Sequence, residues 1–208
     1  MKHYHTRISS LAVAAALLFG CGGGTKVSRV SSDSTTDISG AWNDTDARLV
    51  AVEMINDCLS RVWLKDAIQK AKAANKTDSL PRVVVGTVKN KSHEHISTET
   101  FINDIQRELT NSGRVEFVAS KTERNDLREE KEDQAGNASV TTRQSAGEES
   151  GAEYMMLGSI NTIVDQEGGK AVIFYQINLE LVQLETHKKV WIGDKKIKKF
   201  VENSSTKF

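Results

Sequence analysis

Apolar residues along the chain are distributed unevenly. Leu11-Ala12-Val13-Ala14-Ala15-Ala16-Leu17-Leu18-Phe19 is an unbroken apolar run. It supplies about half of the roughly 20 residues that a membrane-crossing helix needs. Residues 22–40 are mostly Gly, Ser, Thr and Asp, with only Val27, Val30 and Ile38 apolar, too little burial to offset the entropy of ordering. From Trp42 onward apolar positions recur at helical and strand periods.

Asn43-Asp44-Thr45-Asp46 provides a cap and first-turn acids for a helix through Leu59, with Leu49, Val52, Ile55 and Leu59 as its apolar positions. Ser60 to Asn75 predicts a second helix with Trp63, Leu64, Ala67, Ile68 and Ala71 on one side, and Leu80-Pro81 breaks the pattern. Arg82 to Val88 is apolar on both faces, as a central strand requires. A loop follows from Asn90 to Ile96. Phe101, Ile102, Ile105 and Leu109 then mark a helix stripe, with Gly113 placed as its C′ glycine. Arg114 to Ala119 predicts a strand. Ser120-Lys121-Thr122-Glu123 is a capping box for a charged, solvated helix to about Gln134. A short helix is expected over Thr141–Ser150.

Three strands finish the pattern, over Glu153–Gln166, Ala171–Glu185 and Lys189–Val201. Gly168-Gly169 marks a tight hairpin between the first two. Tyr175, Ile177, Leu179 and Leu181 alternate with Gln176, Asn178 and Glu180, so one face is dry. Val190 and Ile192 are expected to point inward. The order predicts an α/β fold, a mixed β-sheet sandwiched by α-helices in a single globular domain.

Composition narrows the class. The 208 residues carry 28 basic and 28 acidic side chains, so no net positive field collects phosphates and nucleic acid is excluded as a partner. One proline rules out a proline-rich rod, and two cysteines rule out a disulfide scaffold.

The amino terminus reads as an export signal. Lys2 and Arg7 flank the apolar run, and Leu18-Phe19-Gly20-Cys21 resembles a bacterial lipobox, with Phe19 in a slot that usually holds a smaller residue. Residues 1–20 are then a lipoprotein signal peptide, and Cys21 is the lipidated first residue. Gly22, where aspartate would favour inner-membrane retention, favours the outer membrane. Loss of Lys2 and Arg7 leaves 26 basic and 28 acidic residues, a net charge of −2. Residues 21–40 form a flexible tether. Its nineteen residues after the cysteine span at most about 65 Å when stretched, and nearer ~25 Å as a coil. Residues 41–202 form the domain and 203–208 a disordered tail.

Candidate chemistry is sparse. No phosphate loop, dinucleotide fingerprint or serine elbow occurs. Ser204-Ser205-Thr206-Lys207 matches S-x-x-K in letters, without the companion motifs of an acyl enzyme. His93-Glu94-His95 could offer two metal ligands but lacks a third, and a polar loop is the expected role. His187 reads as a turn residue. Cys58, in an apolar-periodic segment, reads as a small buried hydrophobe. Catalytic, cofactor and metal residues are therefore expected to be none. Lys188, Lys189, Lys195, Lys196, Lys198, Lys199 and Lys207 face only Asp194 and Glu202, a local excess of five positive charges. That pattern fits either a protected edge strand or a patch steering an acidic partner domain, lipid head groups or anionic wall polymer.

Four blocks carry a family resemblance: Ser39 to Asp46, Asn111 to Val118, Ser150 to Ser159 and Lys189 to Gly193. Together they resemble the LpoB family of outer-membrane lipoproteins that activate penicillin-binding proteins. The resemblance implies a domain similar to the amino-terminal domain of TolB, without an active site, lipid-anchored on the periplasmic side of the outer membrane. Such a domain docks on a bifunctional peptidoglycan synthase, and its docking residues are not assigned by the resemblance. The tether here is short and lacks proline, unlike the long proline-rich tethers of well-studied members. An envelope assembly or secretion complex related to the curli-secretion lipoprotein is the alternative.

Overall fold

A capping box starts the first helix. In the structure, a computed structural model that describes residues 27–75, 80–139, 141–142 and 149–202, Asn43 Oδ1 accepts from the Asp46 amide at 3.1 Å. Asp46 Oδ2 accepts from the Asn43 amide at 3.1 Å in return. Helix α1 follows over Asp44–Ser60 and α2 over Val62–Ala73. The remaining elements are β1 (Arg82–Lys91), α3 (Thr98–Asn111), β2 (Glu116–Phe117), α4 (Lys121–Asn137), β3 (Tyr154–Glu167), β4 (Lys170–Gln183) and β5 (Lys189–Glu202). Residues 27–34 belong to a separate unit from the domain that begins at Thr35.

The five strands form one mixed sheet in the order β2-β1-β3-β4-β5. β1 runs parallel to β2 and β3, and the β3-β4 and β4-β5 pairs are antiparallel. The mixed α/β domain expected from the sequence is the domain found. β2 is shorter than its predicted span. After Glu116 N and Val118 N donate to Pro81 O and Val83 O, the chain leaves the sheet for the Ser120 cap of α4. Gly168 and Gly169 have φ of +56° and +81°, which is the two-residue type I′ turn that a right-twisted hairpin prefers. The helix expected over Thr141–Ser150 falls mainly outside the described residues, and Thr141 and Thr142 form a turn.

The core lies between one sheet face and α1, α2 and α3. Ala47, Val50, Ala51, Met54, Ile55, Cys58 and Leu59 of α1 meet Phe101, Ile105 and Leu109 of α3 over Val83, Val85, Met156, Ile160, Tyr175, Ile177, Leu179 and Leu181. The α1 stripe is thus rotated from the predicted one, and Leu49 is 52% exposed. Of the two residues of β5 expected inward, Val190 is partly buried against the core and Ile192 is not. The β4-β5 register shifts between Leu181 and Val182, which pair with Trp191 and Lys189. Val190 is the extra residue of a bulge, Trp191 turns into the core, and Ile192 points out at 63% exposure.

Charged α4 has no buried residue. Its first turns stand across a groove of about 820 Å³ from Val84 and Met155. Beyond that groove, among the described residues, the second face of β3, β4 and β5 carries partly to fully exposed side chains.

Candidate functional site

A polar cluster joins the first residues of the domain to its last strand. Lys199, on the helix-facing side of β5, donates from Nζ to Asp46 Oδ2 at 2.6 Å, to Asp37 Oδ1 at 3.0 Å and to Ala41 O at 3.1 Å. Burial disfavours its charge, but the two carboxylates outweigh that cost and hold the ammonium above the usual lysine range. Beside it, Glu94 accepts from the Trp42 amide at 3.0 Å and from the Tyr175 hydroxyl. Burial, then the Glu94 carboxylate, push the Tyr175 phenol far above its ordinary value. Trp42 packs edge-on to Phe101 at 6.0 Å and tilts against Tyr175 at 5.7 Å. Each of these groups is held by others of the cluster, so the cluster fastens residues 37–42 to the rest of the domain.

That arrangement decides the role of Glu94 in the His93-Glu94-His95 loop. Glu94 turns inward to Tyr175, whereas His93 and His95 are exposed on either side. Among the described residues, no three His, Cys, Asp or Glu side chains converge to hold a metal. Cys58 is fully buried, and desolvation pushes its thiol up to about 12, so it lacks the thiolate that nucleophilic chemistry requires. His187 occupies a left-handed turn position with φ of +57°. Cys21 and the Ser204–Lys207 segment lie outside the described residues.

A second cluster fixes the bulge. Trp191 Nε1 donates to Asp57 Oδ2 at 2.8 Å. Arg61 and then Trp191 hold the Asp57 carboxyl below its ordinary value.

The lysines of β5 divide by face. Lys195 pairs inward with Glu53 of α1, and Lys199 with Asp46 and Asp37. On the open face Lys196 pairs with Asp194 at 3.1 Å and Lys189 with Glu180 at 2.7 Å. Lys198 has no ion-pair partner among the described residues. The open face thus alternates lysine, amide and hydroxyl groups, with an apolar end where Ile163 is 66% and Phe200 63% exposed. Sequence reasoning missed this face because Lys89 and Lys91 of β1 lie about a hundred residues from β5. Only the sheet order brings them together.

Residues 46–197 match the family model described as peptidoglycan-synthase activator LpoB. The chain belongs to the LpoB family. Among the described residues of this LpoB-family protein, no helix is long and apolar enough to cross a membrane. Comparison with curated proteins finds no match. Similar solved structures include a lipoprotein of Neisseria meningitidis at 11% identity and TM-score 0.39, covering 61% of this chain and 88% of that one. The LpoB C-terminal domain of Salmonella enterica is 15% identical at TM-score 0.34, covering 64% and 94%. The Escherichia coli LpoB C-terminal domain is 13% identical at TM-score 0.35, covering 66% and 98%.

The blocks that resemble LpoB hold the fold together here. Gly40 lies where a Cβ would collide with Val201, and Asn43 and Asp46 cap α1. Gly113 takes a left-handed φ of +62° just past α3. Gly193 leaves room for the Trp191 ring.

Proposed function

We propose that this protein is an outer-membrane lipoprotein that binds and activates a bifunctional peptidoglycan synthase, a penicillin-binding protein, and catalyses nothing itself. Residues 1–20 act as the signal peptide and Cys21 carries the lipid. Residues 21–40 link the lipid to the working domain at 41–202, the part before Asp37 acting as the tether because Asp37 and Gly40 are held by Lys199 and Tyr175, and 203–208 are a tail. More than one acyl chain on Cys21 makes attachment lasting, since single chains bind membranes only marginally.

The observation that carries this reading is the family match over 46–197, which spans the core and most of the sheet. The apolar end of the sheet, where Ile163 and Phe200 are exposed, offers the synthase anchors. Activation requires the domain to bind the active conformation of the synthase more tightly than the resting one. The part of the tether before Asp37, fifteen residues after Cys21, reaches about 50 Å and brings the domain to a synthase that projects outward to meet it.

The test is reconstitution. The full-length protein, added to a purified bifunctional synthase in detergent, should bind it and raise its rate of glycan polymerisation. A protein that neither binds any such synthase nor changes that rate would remove this reading. Mass spectrometry of the mature protein should find acyl chains on Cys21, and Cys21→Ser should release it from the membrane fraction.

A further inference from the structure

The open sheet face has an order that synthase docking does not require. Lys91, Asn161, Gln176 and Lys196 form one row across β1, β3, β4 and β5, because each is the register partner of the next. Lys89, Ser159, Asn178 and Asp194 form the neighbouring row. On the other side of the first row lie Ile163, Phe174 and Lys198. Two lysines thus bracket a strip of amides and hydroxyls, and their Cα atoms stand about 14 Å apart across three strand spacings. The strip is internally linked. Asn161 Nδ2 donates to Ser159 Oγ at 3.3 Å, and Gln176 Nε2 to Asn178 Oδ1 at 3.2 Å.

Charge on this part of the face is one-sided. Lys89, Lys91, Lys196 and Lys198 are all exposed, and Asp194, the acid among them, is taken by Lys196. Lys89, Lys91 and Lys198 have no ion-pair partner among the described residues. The other acids of this face are Glu180, held by Lys189, and, at the hairpin end, Asp165, Glu167 and Glu202, the last paired with Lys170. The centre of the face therefore carries an excess of positive charge over a partly exposed amide surface.

Such a surface suits a particular occupant. Lysine and serine are depleted from the dry centres of protein–protein interfaces, where aromatic anchors dominate. A polar strip of amides and hydroxyls bordered by ammonium groups, with a shallow cleft at Lys89, Lys91, Ser159 and Asn178, instead matches a hydrated polymer bearing hydroxyl, amide and carboxylate groups. The strands are 14 residues each, about 46 Å of extended backbone, long enough to lie along several repeats of such a polymer. Exposed lysine–carboxylate contacts are individually weak, so attachment comes from several made at once along one strand. We infer that this face, centred on Lys89, Lys91, Lys196 and Lys198 around Ser159, Asn161, Gln176 and Asn178, binds the carboxylate-bearing glycopeptide of peptidoglycan. The contact is with the polymer itself; it rests on the periplasmic location proposed above, not on synthase binding.

The test is co-sedimentation of the full-length protein, in detergent, with purified insoluble peptidoglycan sacculi stripped of protein. Wild type should pellet with sacculi at low salt and be released near 0.15 M salt, where exposed charges beyond about 8 Å are screened. The triple variant Lys89→Gln/Lys91→Gln/Lys198→Gln should lose binding by at least about fivefold, as expected when several weak contacts act together. Lys65→Gln/Lys72→Gln, which removes exposed lysines from α2, should bind as wild type. Unchanged thermal midpoints would establish that all variants are folded. Sacculi whose carboxylates are blocked by amidation should fail to pellet wild type. Absence of sedimentation, equal sedimentation of the triple variant, or equal binding to amidated sacculi would each overturn the assignment. So would a triple variant that keeps its sacculus binding but loses synthase binding, which would make the face a protein-docking site. Because sacculi contain no synthase, failure here leaves the reconstitution result standing, and the reverse holds too.

Discussion

Lys199 Nζ lies 2.6 Å from Asp46 Oδ2, and this contact joins the last strand to the first turn of the first helix across 153 positions of sequence. Both side chains are 10% exposed. Removing one charge of a buried pair leaves the other uncompensated, at a cost of about 3–5 kcal/mol. Lys199→Met should therefore lower stability by about that amount, since Asp46 stays buried while its cap on α1 persists. Asp46→Asn keeps much of the cap geometry and should cost less. A double-mutant cycle read by urea unfolding should show strong coupling, because the two groups touch.

The same pair predicts an alkaline limit. The folded-state ammonium of Lys199 is held above its ordinary value. The stabilisation it contributes is complete below the unfolded lysine value, near 10.4, and fades as pH rises through the higher folded value. Tyr175 and Cys58, whose folded values are also raised, lose stability in the same direction at high pH. The informative quantity is thus the difference between wild type and Lys199→Met. That difference in melting temperature should be constant from pH 7 to pH 9 and narrow above about pH 10.4.

Tyr175 and Glu94 give a contrast within one loop. The Tyr175 hydroxyl is the buried donor to Glu94, so Tyr175→Phe should cost about 1–3 kcal/mol by leaving a carboxylate oxygen short of its partner. His93→Ala and His95→Ala alter exposed side chains with no such partner and should stay within about 0.5 kcal/mol of wild type. Chemical denaturation of the three variants separates them. A large loss in either histidine variant would mean that the loop is organised differently.

Local signals of turn and cap chemistry were readable from the chain. Ser120 and Glu123 form the capping box that their spacing predicts, Gly113 is left-handed past α3, and Gly168-Gly169 closes the hairpin. Alternation in β4 correctly separated Tyr175, Ile177, Leu179 and Leu181 from their outward neighbours. What failed was anything set by distant packing. The bulge at Val190 places Trp191 inside and Ile192 outside, because Trp191 gains the Asp57 hydrogen bond and the space above Gly193. A period-two pattern carries no mark of that extra residue. The polar loop expected at His93-Glu94-His95 did not reveal that Glu94 turns inward, because its partner Tyr175 is 81 residues away. The lysine rows needed the sheet order before Lys89 and Lys91 could join Lys196 and Lys198.

Gly193 gives a sharp packing test. A Cβ there would overlap the Trp191 ring, which is 6% exposed and anchored by Asp57. Gly193→Ala must push the indole from its seat or shift β5, a form of overpacking that costs about 1–3 kcal/mol. The indole emission of Trp191 should move to longer wavelength as its surroundings become wetter. Trp191→Phe relieves the overlap, so Gly193→Ala should be much less harmful in that background. Additive losses in the double variant would show that the glycine acts through its backbone alone.

Cys58 provides a direct reading of core integrity. Its thiol is fully buried between α1 and the sheet, and desolvation is the largest influence that raises it to about 12. Only the thiolate reacts with alkylating reagents, so two barriers act together, exclusion of reagent and a protonated sulfur. In a full-length Cys21→Ser background, Cys58 should resist a maleimide at pH 8 in native buffer and react in denaturant. The labelling rate under native conditions should then report opening of the α1 core. Lys199→Met and Gly193→Ala, which weaken opposite ends of the contact between α1 and β5, should each raise that rate, while Lys89→Gln on the open face should leave it unchanged. Fast labelling of the otherwise unaltered protein would mean that the core around α1 is open in solution.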